Sequence, residues 1–251
     1  MNCRKIKLKV YSKINLSLNI VGARGNLHAL DTVMTSVNVA DVITVCERFD
    51  DKLGVEFSCG NAFGENNTAM RAAKALADRF DDFGADIFIE KNIPVGAGMG
   101  GSSADAAGVI LALDILFDFT MRGLNKSAVA AEIGSDVPYM LQGGFCRVGG
   151  AGETLQNINS DAKLYFVVAK GERGVSTAAA YAEFDKLHTD KKLIVSDNDK
   201  LVSALAAGNA DAAIRETGNA LTEPSCVLVP EISRTLGALD SVGAIKSIMT
   251  G

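Results

Sequence analysis

A glycine- and serine-rich stretch that runs without a break into a long apolar segment, PVGAGMGGSSADAAGVILAL from Pro94 to Leu113, constrains this chain more than any other feature. Gly96, Gly98, Gly100 and Gly101 let the backbone take conformations closed to other residues and come close to a ligand. A helix starting there offers N–H groups without intrahelical acceptors at the positive end of its dipole, where anions collect. Ser102 and Ser103 stand where a hydroxyl caps the helix or bonds a phosphate oxygen. Ala104, Ala107, Gly108, Leu111 and Ile115 follow at helical spacing, and Val109, Ile110 and Leu113 add apolar groups elsewhere, so the spacing predicts a helix buried on more than one side. Such a loop also occurs as a plain connector. It is not a Walker loop, because no Lys follows the glycines before Ser102. Gly96, Gly98 and Gly101 give G-x-G-x-x-G, but the acidic residue near dinucleotide spacing, Asp118, follows an unbroken helical pattern and not a strand end.

The chain has 251 residues, 48% of them hydrophobic, enough for one large core or two modest ones, and two lobes are expected. A net charge of −5 with scattered basic residues argues against a nucleic-acid partner. Cys3, Cys46, Cys59, Cys146 and Cys226 are odd in number and widely spaced, as in reduced thiols of a cytosolic protein, and they suggest no metal site. No apolar run is long enough to span a bilayer, and Met1-Asn-Cys-Arg-Lys leads into a strand pattern and not a signal peptide. A soluble, intracellular protein without a membrane partner is therefore expected.

The clearest strand opens the chain. Ile6, Leu8, Val10, Ile14, Leu16, Leu18 and Ile20 take even positions, and Lys5, Lys7, Lys9, Lys13, Asn15, Ser17 and Asn19 take odd ones, giving one core face and one polar face. Further strands are predicted over 42–46, 55–58 and 87–90, with helices over 68–80 and 126–133. Asn125 is the expected N-cap of the latter helix and Gly134 its stop. Gly143 and Gly144 close a short segment after Pro138, and 145–148 reads as a returning strand. Beyond residue 160, the apolar run 164–169 is predicted as a buried strand. Helices follow over 177–187, 199–207, 211–221 and 232–239, and a final strand begins over 244–249, with Gly251 opening a glycine turn.

Three segments together resemble the GHMP kinases: SKINLSLNIVG near the start, PVGAGMGGSSADAA in the middle and GAIKSIMTG at the end. Within that superfamily the chain is most similar to the 4-diphosphocytidyl-2-C-methylerythritol kinase family. The marks are K-I-N-L-x-L at Lys13–Leu18, Gly-x-x-His at Gly25–His28, M-x-x-V-x-x-A-D-x-I at Met34–Ile43 and G-S-D-V-P at Gly134–Pro138. The resemblance spans the whole chain and rests on the combination of motifs. It implies an α+β fold of two lobes, with residues 1–160 forming a lobe like domain 2 of ribosomal protein S5 and residues 161–251 a ferredoxin-like lobe, and an active site between them. In the family the third motif continues past the equivalent of Gly251, so the second lobe is expected to be incomplete and its last residues poorly tied down.

The resemblance implies ATP-dependent phosphorylation of the 2-hydroxyl of 4-diphosphocytidyl-2-C-methylerythritol, without a covalent enzyme intermediate. Asp136 resembles the family's base and Lys13 the partner that keeps it ionised; from residue patterns alone, Lys13 also reads as a solvated strand lysine and Asp136 as a turn or cap residue. Pro94, Gly96, Gly98, Gly100, Gly101, Ser102 and Ser103 resemble the phosphate-binding segment. Asn67 resembles an asparagine near the adenine, and an N-cap would explain it as well. On the acceptor side, His28 resembles the residue that bonds the cytosine ring, Asn15 one that touches the substrate, and Thr177 and Tyr181 a hydroxyl and an aromatic ring near the cytidine. The family usually has Tyr before that His; here the residue is Leu27, which gives up an aromatic face worth about 1 kcal/mol. Tyr181 can compensate for it, or can serve only as a core residue. ATP implies magnesium, expected to be held by phosphates and water near Ser102 or Ser103, since no carboxylate cluster marks a protein site. A small-molecule substrate and a monomer or homodimer are expected. Another GHMP small-molecule kinase is the near alternative, and a non-catalytic nucleotide-binding protein the distant one, disfavoured by the presence of both Lys13 and Asp136.

Overall fold

The alternation at the start of the chain forms a 20-residue strand, β1 (Lys5–Arg24), followed by a 22-residue strand, β2 (Leu27–Arg48). The computed structural model describes residues 3–25, 27–60, 64, 66–150, 152 and 154–250. After β2 come β3 (Leu53–Phe57), α1 (Thr68–Ala77), β4 (Gly84–Glu90), α2 (Gly101–Phe117), α3 (Lys126–Ile133), α4 (Val137–Gln142), β5 (Cys146–Gly150) and β6 (Thr154–Asn157). The rest is mainly helical: α5 (Thr177–Leu187), α6 (Asn198–Ala206), α7 (Ala210–Arg215), the two-residue β7 (Gly218–Asn219), α8 (Thr222–Leu228) and α9 (Glu231–Ser241).

The chain is α+β and forms two compact units. One takes the chain up to Lys13 with Ser36–Val95 and Met99–Gly143; the other takes Ile14–Thr35, Gly96–Gly98 and the chain from Gly144 on. Thus the units are interleaved in sequence, and β1 and β2 each contribute to both.

In the first unit β4 pairs antiparallel with β2 (Val42 with Glu90 through Arg48 with Gly84) and parallel with β3. Helix α2 is buried almost all round, with Ala104, Ala106, Ala107, Val109, Ile110 and Leu113 inaccessible. Its close seat on the sheet requires Gly108, where a Cβ would lie 2.5 Å from Val10 Cγ1 and 2.8 Å from Ile43 Cγ1. Helix α1 packs along α2 through Ala69, Ala72, Ala73 and Leu76. The helix is buried on more than one side, as expected, although Leu111 is only half-buried and Ile115 is exposed.

In the second unit the later part of β1 pairs parallel with β7 (Ser17 with Gly218, Leu18 with Asn219), and the early part of β2 pairs antiparallel with β5, which pairs with β6. Leu18, Ile20, Ala180, Phe184, Ala220 and Leu221 form its core, with Leu30, Tyr181, Leu193 and Met249 packed around them.

Several expectations need correction. Only the first half of the polar face of β1 meets water: Lys5, Lys7 and Lys9 are exposed, whereas Lys13, Asn15, Ser17 and Asn19 are buried. Residues 164–169 are not a strand. They pair with no strand among the described residues, and Tyr165 and Val167 are 92% and 81% exposed; a lone extended segment cannot satisfy its backbone by a ladder. The helix expected over 211–221 stops at Arg215, because Gly218 and Asn219 pair with β1 instead, where a Cβ on Gly218 would sit 2.9 Å from the carbonyl oxygen of Val195 in an earlier segment. Helix α1 ends at Ala77, short of Phe80. Residues 244–249 are not a strand either, yet they are held: Lys246 Nζ donates to the Arg215 carbonyl at 2.8 Å and Asn219 Nδ2 to the Met249 carbonyl at 3.0 Å. The turn expected at Gly251 lies outside the described residues. The helix over 126–133 and its caps match expectation, with the Asn125 side chain accepting from the Ala128 N–H.

Candidate active site

The glycine loop takes the form its composition requires. Gly96, Gly98 and Gly100 have φ of 68°, 68° and 70°, the left-handed region that side chains other than Asn and Asp rarely enter. Gly100 occupies the N-cap of α2, and no side chain caps the helix there. Ser102 and Ser103 lie inside the first turn and not at the cap, so of the two readings, helix cap or phosphate ligand, the first does not apply, and the first N–H groups of that 17-residue helix have no side-chain cap. Ser102 is exposed and Ser103 half-buried, while Pro94 stands exposed at the start of the loop. Thr68 Oγ1 donates to the Ser102 carbonyl at 2.7 Å and so joins the start of α1 to the start of α2.

Lys13 reaches this loop through its own backbone: its N–H donates to the Met99 carbonyl at 3.0 Å. A Cβ on Gly100 would come within 3.1 Å of Lys13 Cγ and 2.3 Å of Met140 Cε, so the absence of a side chain there makes room for the lysine stem. Lys13 is only 5% exposed, and its Nζ lies 3.6 Å from Asp136 Oδ2. Asp136 precedes α4 at the N-cap position but makes no capping hydrogen bond, and its side chain is 31% exposed. A carboxylate in that position, relieved of a structural task and held beside a buried ammonium, is able to take a proton from a bound hydroxyl.

Asn67, expected near the adenine, caps α1: its Oδ1 accepts from the Met70 N–H and its Nδ2 donates to the Gly64 carbonyl, both at 2.8 Å. In the second unit Asn15 is buried, with Nδ2 donating to Thr32 Oγ1 at 2.8 Å and its backbone N–H to Thr250 Oγ1 at 2.8 Å. His28 and Tyr181 are brought together, stacked at 4.6 Å between ring centroids with an interplanar angle of 15°. His28 Nε2 lies 2.7 Å from Asp185 Oδ1, and the Phe184 ring meets it edge-on. The His28 hydrogen bond holds the Asp185 carboxyl below the usual carboxylate range, and Lys191 at 3.3 Å adds to the effect. Thr177 opens α5 one turn before Tyr181 and is exposed, as is Leu27 at 62%.

Sequence reasoning missed a buried ionic cluster next to the loop. Lys91 Nζ contacts Asp41 Oδ2 and lies 2.7 Å from Asp105 Oδ2, with all three side chains nearly inaccessible. Both Asp41 and Asp105 fall within the motif segments, and the readable signal was the pair of charged residues, Asp105 and Asp114, in a helix otherwise made of apolar and small side chains. Asp185 was missed as well, since nothing in its local pattern marks it as the partner of a residue 157 positions earlier. Among the described residues no group of three or more His, Cys, Asp or Glu side chains could hold a metal, and no helix is long and apolar enough to cross a membrane.

A left-handed glycine loop opening a buried helix, with a lysine–carboxylate pair beside it, defines a kinase-type phosphate site, and residues 67–144 match the model for the GHMP kinase N-terminal domain. The chain is 37% identical over 250 residues to the 4-diphosphocytidyl-2-C-methyl-D-erythritol kinase of Desulfitobacterium hafniense, covering 98% of this chain and 84% of that one. It is 34% identical over 253 residues to the enzyme of the same name from Syntrophomonas wolfei, covering 99% and 87%. A crystal structure of 4-(cytidine 5'-diphospho)-2C-methyl-D-erythritol kinase superposes with a TM-score of 0.77 at 27% identity, covering 98% of this chain and 87% of that one. Mevalonate kinase from L. major, at 14% identity, a TM-score of 0.67 and coverage of 100% and 85%, shares the fold. The chain therefore belongs to the 4-diphosphocytidyl-2-C-methyl-D-erythritol kinase family of the GHMP kinases.

Proposed function

We propose that this protein transfers the γ-phosphoryl group of ATP to the tertiary 2-hydroxyl of 4-diphosphocytidyl-2-C-methyl-D-erythritol, in the synthesis of isoprenoid precursors by the non-mevalonate route. The observation that carries the reading is the Lys13–Asp136 pair at 3.6 Å, adjoining the Gly100 turn that opens α2. Family membership supplies the substrates: the relatives are named for the cytidyl alcohol, and kinases of this class use ATP.

The chemistry follows from what each group can do. Backbone N–H groups at the start of α2, with Ser102 and Ser103, bind the phosphates and orient the γ-phosphorus. Asp136 accepts the proton of the acceptor hydroxyl as that oxygen bonds to the γ-phosphorus and the bond from phosphorus to the ADP oxygen breaks. Lys13, paired with Asp136 at 3.6 Å, offsets the negative charge on the attacking oxygen. His28, stacked on Tyr181 and held by Asp185, recognises the cytosine ring. Asn15 lines the acceptor site, Thr177 lies toward the cytidine, and Asn67 stands near the adenine. Magnesium accompanies ATP and neutralises charge on its phosphates. Five free thiols suit a reaction in the cytoplasm.

The test is ADP release from the purified protein with ATP, Mg2+ and a panel of alcohols. Turnover on 4-diphosphocytidyl-2-C-methyl-D-erythritol, at least 100-fold above homoserine or mevalonate in kcat/KM, is the expected result. Preference for another alcohol, or no inhibition by millimolar CDP, would contradict the reading.

A further inference from the structure

Lys91, Asp41 and Asp105 form a dry ionic cluster that the transfer reaction does not use. Lys91 sits just before the glycine loop, Asp105 in the first turns of α2 just after it, and Asp41 on β2 beneath both. Asp41 Oδ1 accepts from the backbone N–H groups of Asn92 and Ile93 at 2.5 and 2.8 Å, while its Oδ2 contacts Lys91 Nζ. The same ammonium bonds Asp105 Oδ2 at 2.7 Å, and the Lys91 backbone N–H donates to Ser58 Oγ at 3.0 Å. Gly101, the first residue of α2, lies against this head group: a Cβ there would be 3.5 Å from Lys91 Nζ and 3.1 Å from Ile93 Cγ2. Two carboxylates therefore share one ammonium out of reach of water, and Asp105 Oδ1 has no hydrogen-bond partner. Burial pushes the Asp105 carboxyl up to about 7, against the pull of Lys91.

Stability alone is a poor reason for such a cluster, because replacing a buried ionic group by apolar side chains of the same volume is often neutral or stabilising. What the cluster does geometrically is fasten the strand-end segment that enters the loop to the helix that leaves it. We infer that Asp41, Lys91 and Asp105 are positioning residues that hold the two flanks of the phosphate loop at a fixed spacing, so that the N–H groups at the start of α2 are aimed before ATP arrives. The inference rests on the ATP reading above and concerns affinity for the nucleotide, not proton transfer.

The experiment compares Asp105→Ala and Asp105→Asn with the unaltered protein at a temperature where all are folded. ATP binding is measured by calorimetry without any acceptor, CDP binding is measured separately, and amide hydrogen exchange over residues 99–103 is followed in the ligand-free protein. Asp105→Ala is expected to weaken ATP at least 10-fold, to leave CDP within 2-fold and to speed exchange at least 10-fold. Asp105→Asn, whose carboxamide oxygen still accepts from Lys91, is expected to recover most of both effects. If the alanine variant does not fold, Asp105→Ser, too short to reach Lys91, gives the same readouts. ATP affinity and loop exchange both within 2-fold of the unaltered protein in the alanine or serine variant would overturn the inference, whatever happens to melting temperature. Turnover on the cytidyl alcohol is scored apart, so failure of the substrate reading would not be mistaken for failure of this one.

Discussion

Lys13 Nζ and Asp136 Oδ2 lie 3.6 Å apart, the lysine buried on β1 and the aspartate partly open to solvent ahead of α4. The asymmetry matters. A buried ammonium has few other ways to balance its charge, whereas a partly exposed carboxylate remains able to meet a substrate hydroxyl. The lysine comes from a strand and the aspartate from the turn before a helix, so their spacing is fixed by the packing of β1 and α4 against the Gly100 turn.

Gly100 is the position where the loop and Lys13 meet, and Gly100→Ala tests that contact. An alanine at φ 70° costs about 1–2 kcal/mol in backbone conformation, and its methyl would displace Met140 Cε and Lys13 Cγ. Melting temperature is expected to fall by a few degrees and kcat by about 10-fold or more, since misplacement by about 1 Å can cost about 100-fold. An unchanged kcat would show that Lys13 does not depend on the glycine.

In the second unit Tyr181 shares a stack with His28, the pair proposed to meet the cytosine, and Leu27 is exposed beside His28 in sequence. Leu27→Tyr is expected to tighten the cytidyl substrate and Tyr181→Ala to loosen it, each by about 5- to 10-fold in KM, the range of one aromatic contact of about 1 kcal/mol. Asp185→Ala should raise the same KM, because it releases the His28 ring from its 2.7 Å contact. KM for ATP is expected to stay within about 2-fold in all three; a fall in kcat alone would remove these residues from substrate binding.

Asp105 gives the protein a pH signature. Its carboxyl titrates at about 7 when folded, against an ordinary 3.8, with Lys91 and Asp41 as the charged groups facing it. The folded state thus binds this proton more tightly than the unfolded chain. Its contribution to stability is full below pH 4 and is lost as pH rises through 7. Carboxylates held low act in another window: Asp50, brought to about 2 by Arg48, loses its contribution only as pH falls below about 4. Between pH 4 and 7.5 the melting temperature of Asp105→Asn is therefore expected to gain several degrees relative to the unaltered protein. Parallel curves for the two proteins would contradict this assignment.

Much of this was legible in the sequence. The 94–113 segment announced a glycine turn and a helix buried on several sides, and the alternation over 5–20 announced a strand whose odd positions are Lys13, Asn15, Ser17 and Asn19. Alternation cannot say whether a polar face meets water. Here the face is exposed at Lys5, Lys7 and Lys9 and buried from Lys13 on, which is why Lys13 reads as a surface lysine until the chain around it is in place. Residues 164–169 failed for the complementary reason: β-branched and aromatic composition states a preference for a pleated surface but does not supply a neighbouring strand. Asp41, Lys91 and Asp105 were invisible as a cluster because they lie on three elements, and only the packing of α2 against β2 brings them together.

The most direct test of the account is the Asp136→Asn variant. The side chain keeps its shape beside Lys13 but can no longer take the hydroxyl proton, so kcat on the cytidyl alcohol is expected to fall by about 100-fold or more, within the range of about 100- to 10,000-fold for a general base. ATP affinity, measured by calorimetry on the same preparation, is expected to stay within about 2-fold. Near-normal turnover in a folded Asp136→Asn protein would contradict the assignment of Asp136 as the base.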